Sequence, residues 1–298
     1  MKKIVVIGSS NTDMVIKSDK LPNPGETILG GEFLLNPGGK GANQAVTAAR
    51  LGGKVTFIAK IGSDAFGKNS INLYSSEGIN TEFIFSDPEK PSGVALINVN
   101  ESGENCIVVA PGANGLLSVE DIEKAKYEIE SADILLMQLE IPLSVVEYSA
   151  KLAYEKGIKV ILNPAPANEL SNSLLKCLYI ITPNKNEAEA LSGIKITDIE
   201  SAKSAAAVIR EKGVDTVIIT MGELGAIICD DQLHQIPAVN VKTVDTTAAG
   251  DVFNGALSVA LAEDKSIVDA VIFACKCAAL SVTKLGAQSS IPYRNNIV

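Results

Sequence analysis

The sequence predicts an α/β protein, a three-layer α/β/α sandwich with a mostly parallel central sheet plus a small β-sheet lid. Three observations carry this. Short runs rich in Val, Ile and Leu are apolar at successive positions rather than at alternate ones, as strands buried on both faces of a parallel sheet are. Helical stretches lie between most of them, and such alternation builds right-handed strand–helix–strand crossovers. Two β-rich stretches, about 14–36 and 92–110, have no neighbouring helix and so stand apart from the sandwich.

In chain order the strand runs are Lys3–Ile7, Val55–Lys60, Ile134–Gln138, Lys159–Leu162, Tyr179–Ile181 and Thr216–Thr220. A further run, Val239–Val244, reads as strand-like. The helical runs include a segment from the glycines at 38–41 to about Leu51, then Ser118–Glu130, Leu143–Lys156, Ile199–Lys212, Val252–Ala262 and Ser266–Lys284. Met14–Leu35 holds a strand-like piece, a Pro-rich turn (Leu21-Pro22-Asn23-Pro24-Gly25) and Thr27–Leu35. Ser92–Ala110 reads as a hairpin, Val94–Val99 and Asn105–Val109, joined by Asn100-Glu101-Ser102-Gly103. Val94, Leu96, Ile97 and Val99 read as an apolar outer face suited to an interface. A plain extension of the main sheet is the alternative. Residues 1–298 read as a single domain, and ligands of such sheets bind at the carboxyl ends of the strands. Asn11, Glu140, Asn163 and Asn184 each follow a predicted strand.

Composition excludes several classes. Of 298 residues, 46% are hydrophobic, enough for a large core. No apolar run approaches the roughly 18 residues of a membrane span, and no secretory signal precedes Lys3–Ile7, so a cytoplasmic protein is expected. Lys and Arg number 26 against 35 Asp and Glu, a net charge of −9. No basic stripe offers itself to nucleic acid. The 5 cysteines are Cys106, Cys177, Cys229, Cys275 and Cys277. They show no Cys-x-x-Cys and read as buried free thiols. The 1 histidine, His234, reads as an exposed residue of a surface hairpin, which removes His-based acid–base or metal chemistry.

Two segments carry chemistry. Asp245-Thr246-Thr247-Ala248-Ala249-Gly250-Asp251 opens a helix with small residues, so its first amides stand bare and can face an anion. An acid follows them. Bare amides beside a carboxylate suit phosphoryl transfer, the amides holding phosphate oxygens and the carboxylate taking a hydroxyl proton. A Thr N-cap with small residues for close packing explains the segment equally. Pro37-Gly38-Gly39-Lys40-Gly41-Ala42-Asn43-Gln44 opens another helix. It is not a Walker A loop, because Gly41 follows Lys40, and no G-x-G-x-x-G reads through it. Its glycines permit backbone approach to a ligand, and Asn43 offers both donor and acceptor. A Gly-rich turn into a helix is the bland reading.

Together these two segments resemble the two signatures of the PfkB carbohydrate kinases, the ribokinase-like family. Gly8-Ser9-Ser10-Asn11-Thr12-Asp13, Met137-Gln138-Leu139-Glu140, Asn163-Pro164-Ala165-Pro166-Ala167, Thr182-Pro183-Asn184-Lys185-Asn186-Glu187 and Lys284-Leu285-Gly286-Ala287-Gln288 extend the likeness over nearly the whole chain. It is to the ribose-phosphorylating members, and implies ATP-dependent phosphorylation of D-ribose at the 5-hydroxyl. Another sugar kinase of the family, for deoxyribose, fructose, a keto-deoxy sugar acid or a nucleoside, is the rival. No Arg occurs in the quoted motifs, against an acidic sugar, and aromatics at 4% argue against a nucleoside. A non-catalytic sugar-binding regulator is disfavoured by the intact Asp251 segment.

The resemblance assigns roles. Asp251 would be the catalytic base, kept ionised by its helix-start position, with the amides of Ala248, Ala249 and Gly250 as the anion hole. Asn11, Asp13, Gly39, Lys40, Asn43 and Glu140 would bind the sugar. For Asn11-Thr12-Asp13 an Asx-turn is the local alternative, and for Glu140 a helix-entry charge. Asn184 and Glu187 would organise Mg²⁺ and the phosphates through water, or form a capping box. Thr220, Gly222, Gly225 and Cys275 would line the nucleotide, with Gly250 on its phosphate side. Asp245, Thr247, Ser281, Lys284, Gly286 and Ser290 would hold a monovalent cation, K⁺. The lid would close over the sugar and form a homodimer contact.

Overall fold

In Lys3–Ile7 (β1) every residue after the first is buried. Ile4 and Val6 face one hydrophobic core and Val5 and Ile7 the other, the period of 2 that a strand enforces. β1 is therefore an interior strand. The computed structural model describes residues 2–102 and 104–297; Gly103 of the expected hairpin loop lies outside the described residues. Along this chain the strands are β1, β2 (Asn11–Lys17), β3 (Glu32–Gly38), β4 (Lys54–Gly62), β5 (Ile84–Asp87), β6 (Gly93–Val99), β7 (Asn105–Ala110), β8 (Ile134–Met137), β9 (Lys159–Leu162), β10 (Ile180–Ile181), β11 (Thr216–Thr220), β12 (Ala226–Cys229) and β13 (Leu233–Ile236). The helices are α1 (Lys40–Arg50), α2 (Ala65–Ser76), α3 (Val119–Lys124), α4 (Lys126–Glu130), α5 (Leu143–Glu155), α6 (Asn172–Leu175), α7 (Lys185–Ser192), α8 (Ile199–Glu211), α9 (Ala249–Ala262) and α10 (Ile267–Ser281).

The main sheet has 9 strands in the order β13-β12-β11-β10-β9-β8-β1-β4-β5. It is parallel except where β12 joins β11 and β13. Helices α1, α2, α9 and α10 cover one face, and α3 to α8 the other. The sandwich is thus the predicted one, and no described helix is long and apolar enough to cross a membrane. Differences from the sequence reading are local. Val239–Val244 is not a strand: both of its end valines are exposed, and it has no ladder partner. The expected helix 118–130 breaks at Ala125 into α3 and α4. The last helix stops at Ser281, where the Val282 carbonyl turns to accept the amides of Val244 and Asp245. β12 and β13 form the hairpin expected around His234, at the sheet edge, but His234 is half-buried in it rather than exposed. All five cysteines are free, but only Cys229 and Cys277 are buried, and Cys106 is exposed.

A second sheet of 4 strands, in the order β3-β2-β6-β7, stands apart. Its pairing puts Met14 beside Leu35 and Leu96, and Asp13 beside Asn36 and Ala95. Neighbours in sequence point to opposite faces. Val94 and Leu96 therefore share a face with Met14, Ile16, Phe33 and Val108, while Ile97 and Val99 lie on the face of Asp13. The expected outer face was two faces read as one.

Helices α1 and α9 meet under the central strands. A Cβ on Gly255 would lie 2.5 Å from Thr47 Cβ and 2.7 Å from the Gln44 carbonyl oxygen. No side chain fits there. Gly255→Ala should cost about 1–3 kcal/mol, as overpacking does, measured by chemical denaturation. A change below about 0.5 kcal/mol would mean that the helices have room to part.

Candidate active site

The glycines at 38–41 bring chain to chain. Gly39 has φ +89°, and a Cβ on it would lie 2.7 Å from the Asn11 amide; one on Gly41 would lie 2.5 Å from the Gly8 carbonyl carbon. The start of α1 thereby presses against the exit of β1. Helix α1 has no side-chain cap of its own. Its orphan amides are taken by distant groups instead: Glu140 accepts from the Lys40 amide (3.1 Å) and from the Ser9 hydroxyl (2.6 Å), and the Ser9 carbonyl accepts from the Ala42 amide at 2.8 Å. Glu140 is neither an idle surface acid nor the entry charge of its own following helix. It ties β8 to α1.

This clamp aims Asn43 and Gln44 at the start of α9. Asn43 Nδ2 donates to Asp251 Oδ2 and Gln44 Nε2 to Asp251 Oδ1, each at 3.0 Å. Asp251 is buried, and burial pushes its carboxyl above the ordinary range, against the opposing pull of Lys40, Asn43 and Gln44. The helix-start position alone does not keep it low, because desolvation outweighs it. Asp13 is raised to about 6 by burial, then by Glu140 and Asp251, while Lys40 lowers it. For Lys40 burial disfavours the charge, but Asp251, Glu140, Glu187 and Asp13 overcome this and raise its pKa. The ammonium is thus held charged among carboxylates. Asn43 Oδ1 is buried and has no hydrogen-bond partner among the described residues. An orphaned acceptor beside a buried carboxylate is what a hydroxylated ligand would satisfy.

The other side of Asp251 is an open helix start. Ala248, the N-cap, sits in the left-handed region at φ 61°, a strained conformation for a residue with a Cβ. The amides of Ala248, Gly250 and Asp251 make no hydrogen bond among the described residues, whereas the Ala249 amide donates to the Thr246 carbonyl at 3.2 Å. The expected anion hole of Ala248, Ala249 and Gly250 is therefore better drawn with Asp251's own amide in place of that of Ala249. Nothing lies within 4 Å of where a Gly250 Cβ would be, so the site opens outward there.

Around this centre the remaining residues fall into groups. Asn184 and Glu187 form a capping box, Asn184 accepting from the Glu187 amide (2.9 Å) and Glu187 from the Asn184 amide (2.8 Å). Asn184 also bridges to Thr220, so the phosphate-side and nucleotide-side candidates adjoin. Gly222 and Gly225 bracket the turn between β11 and β12. Cys275 on α10 is half-buried and packed against the core, its thiol pushed up to about 11 by burial. Asp245 accepts from the Thr247 amide (2.9 Å) and hydroxyl (2.7 Å) and from the Gly286 amide (2.8 Å). Burial raises its pKa, but these bonds outweigh that and hold it below the ordinary range. It pins the 245–247 loop to the loop of Gly286. The hydroxyls of Ser281 and Ser290 are spent on the carbonyls of Ala278 and Ala287, and Lys284 is exposed.

Asn11 is the first residue of β2 rather than an Asx-turn. Its Oδ1 accepts from Asn114 Nδ2 at 2.8 Å, and Asn114 also accepts the Ser10 amide at 2.9 Å. That leaves the Asn11 side-chain amide nitrogen to a ligand. Asn114 was not foreseen, because it follows a turn with no motif around it. Ser9 and Gln44 lay inside quoted motifs without a role.

A buried carboxylate beside bare helix amides, faced by polar groups from a second sheet, defines a phosphotransferase acting on a hydroxylated small molecule. The model of the pfkB family of carbohydrate kinases matches residues 1–294, and the chain belongs to that family. A ribokinase of Haemophilus influenzae is 49% identical over 294 residues, covering 98% of this chain and 96% of the relative. A deoxyribokinase of Salmonella typhi is 40% identical over 292 residues, covering 97% and 95%. The structure of Arabidopsis thaliana ribokinase complexed with ribose and ATP matches with a TM-score of 0.92 at 32% identity, covering 99% of this chain and 97% of that one.

Asp251→Asn keeps both side-chain partners within reach but cannot accept a proton. Sugar-dependent ADP release should fall by about 10²–10⁴-fold, the usual worth of a general base, with the fold intact by circular dichroism. A variant within fivefold of wild-type turnover would remove Asp251 from the base role.

Proposed function

We propose that the chain transfers the γ-phosphoryl group of ATP to the 5-hydroxyl of D-ribose in the cytoplasm, giving ribose 5-phosphate and ADP. The observation that carries this reading is the position of Asp251, hydrogen-bonded by Asn43 and Gln44 on one side and flanked by unpaired amides on the other. Full-length likeness to ribokinases at 40% to 49% identity supports ribose as acceptor. Five free thiols fit a reducing compartment.

Asp251 takes the hydroxyl proton, and the amides of Ala248, Gly250 and Asp251 hold the moving phosphoryl oxygens. Asn11, Asp13, Gly39, Lys40, Asn43 and Glu140 grip the sugar. Thr220, Gly222, Gly225 and Cys275 face the nucleotide. Asn184 and Glu187, already bonded to each other, would hold Mg²⁺ through water, and the ion would supply charge neutralisation of the phosphates. The junction of Asp245 with Gly286 is read as the place of the K⁺ ion, with backbone carbonyls as most of its ligands. The second sheet acts as a lid over the sugar. Its outer apolar face, with Phe33 at 57%, Leu35 at 53% and Val108 at 63% exposed, is read as a homodimer contact; a monomer by sedimentation would count against it.

The likeness to a deoxyribokinase keeps 2-deoxyribose as the second reading. Steady-state kinetics on ribose, 2-deoxyribose and fructose decide between them. Ribose should give the highest kcat/KM, because a site built to bond a hydroxyl leaves polar groups unpaired when it is missing. The same assay across pH tests Asp13. Its ionised form binds hydroxyls, and that form is lost as pH falls through about 6. kcat/KM for ribose, which reports the free enzyme, should therefore drop below pH 6. Asp13→Asn should lower kcat/KM at pH 8 and make that limb less steep, leaving the part that Asp251 contributes. A higher kcat/KM for another sugar would reassign the substrate; an unchanged limb would remove Asp13 from the sugar site.

Exchange of K⁺ for Na⁺ should slow turnover severalfold, because a cation at Asp245 would order the loop that carries the anion hole. Asp245→Ala should abolish the difference. Equal rates in both salts would exclude the cation role.

A further inference from the structure

Behind Asp251, on the side away from any ligand, lies a closed ring of buried side chains. Gln44 Nε2 gives one hydrogen to Asp251 Oδ1 (3.0 Å) and the other to Asn163 Oδ1 (3.2 Å). Asn163 Nδ2 donates to the Thr182 carbonyl (3.2 Å), and the Thr182 hydroxyl to Asn254 Oδ1 (2.6 Å). Asn254 Nδ2 closes the ring on the Gly250 carbonyl at 2.8 Å. That carbonyl belongs to the same peptide unit as the Asp251 amide, one of the open amides of the site. Gln44 is fully buried, and Asn163, Thr182 and Asn254 nearly so.

The ring has a fixed polarity. An ionised carboxylate only accepts, so Gln44 must present nitrogen to Asp251. Its nitrogen then serves two oxygens, and its own oxygen is left to accept from Gln138 Nε2 at 2.6 Å. Gln138 must in turn point its oxygen away, and that Oε1 is buried without a partner among the described residues. A buried group left unsatisfied needs a reason. The reason here is the direction imposed from Asp251.

We propose that Gln44 is a positioning residue for phosphoryl transfer, orienting the Asp251 carboxylate and tying it, through Asn163, Thr182 and Asn254, to the peptide that carries the Asp251 amide. Base and anion hole then keep one register, the geometric requirement of a reaction whose catalysis is mostly placement. The inference rests on the kinase reading above. The charged groups facing Asp251 are Lys40 of α1, Glu140 after β8, Asp13 of the second sheet and Glu187 of α7. The test must alter Gln44 and leave those in place.

Gln44→Glu removes the donor and sets a like charge beside Asp251; Gln44→Met removes the donor alone. Both changes favour the protonated base. The acid limb of kcat, which reports the bound complex, should move up by at least about one pH unit in Gln44→Glu and by less in Gln44→Met. The ribose KM should stay within about threefold, since no ligand contact is lost. Asn254→Leu, which frees the Gly250 peptide, should lower kcat at least about tenfold and leave the limb in place. An independent reading uses protein labelled with ¹³C at the Asp carboxyl carbons, without ligand, the Asp251 resonance being identified by its loss in Asp251→Asn. Its titration should move in the same order. If Gln44→Glu fails to fold, Gln44→Met carries both measurements. A wild-type enzyme inactive on every sugar would sink the kinase reading, while the carboxyl titration would still decide whether Gln44 tunes Asp251. An unmoved limb and an unmoved carboxyl titration would overturn the role of Gln44. An Asn254→Leu enzyme within twofold of wild-type kcat would overturn the tie to the anion hole.

Discussion

Helix α9 meets helix α1 at a glycine, and the site depends on that contact. With no Cβ on Gly255, the Gln44 backbone and the Thr47 side chain come within a distance no other residue permits. Asn43 and Gln44 then stand close enough to bond Asp251 directly. A side chain at 255 would separate the helices by roughly the size of a methyl group, and hydrogen bonds at 3.0 Å do not survive such a displacement. The surroundings of the Asp251 carboxylate are thus set by backbone packing several residues away. Thr47 reinforces the arrangement by returning its hydroxyl to the Asn43 carbonyl at 2.7 Å.

The same packing explains how buried charge is tolerated. Moving a carboxylate out of water is expensive unless donors and an opposite charge replace the water. Asp251 receives two amide donors and the field of Lys40, and it is still raised by burial. The balance is left short of full compensation. That suits the role proposed for Asp251, which is to hold a proton during transfer and release it afterwards. Asp13 is likewise raised, to about 6, by burial and by the neighbouring carboxylates of Glu140 and Asp251, and its compensation is read as the sugar itself. The two acids differ because they sit on different elements: Asp251 on a helix held against α1, Asp13 on a strand of the second sheet.

Much of this was legible in the sequence, and the limits have physical causes. Runs such as Lys3–Ile7 and Ile134–Met137 are buried on both faces, so their uninterrupted apolar character read directly as parallel strands. The hairpin of β12 and β13 was legible only around its turn, at 230–232, and its two strands, four residues each, were too short to be read as part of the main sheet. Val239–Val244 has strand-forming composition but no neighbour to pair with, and composition carries no information about neighbours. Asp251, Asn43 and Lys40 were found because their segments are dense in small residues. Asn114, Asn254 and the role of Gln44 were not. Each is an isolated polar residue whose partner lies far away in sequence, from Ser10 to Asn114 or from Thr182 to Asn254. Only the fold brings such pairs together. The anion hole shows a finer limit: sequence located the helix start, but which amides remain unpaired depends on the left-handed turn at Ala248.

The division of the site between two sheets has a consequence for specificity. The base, its supporting ring and the bare amides all belong to the sandwich, at α1, α9 and the ends of the central strands. Asp13 and Asn11 belong to the second sheet, joined to the sandwich at Ser10, where Asn114 bonds both the Ser10 amide and the Asn11 side chain. The groups proposed to bind the sugar are therefore divided: Asn11 and Asp13 lie on the second sheet, while Gly39, Lys40, Asn43 and Glu140 lie on the sandwich beside Asp251. Substitutions on the Asp13 face of β2, β3 or β6 would alter only the part of the proposed sugar grip that Asn11 and Asp13 supply, without passing strain into the α1–α9 contact. The full-length likeness of this chain to relatives named both as ribokinases and as deoxyribokinases leaves the choice of sugar to individual side chains of this kind rather than to the fold.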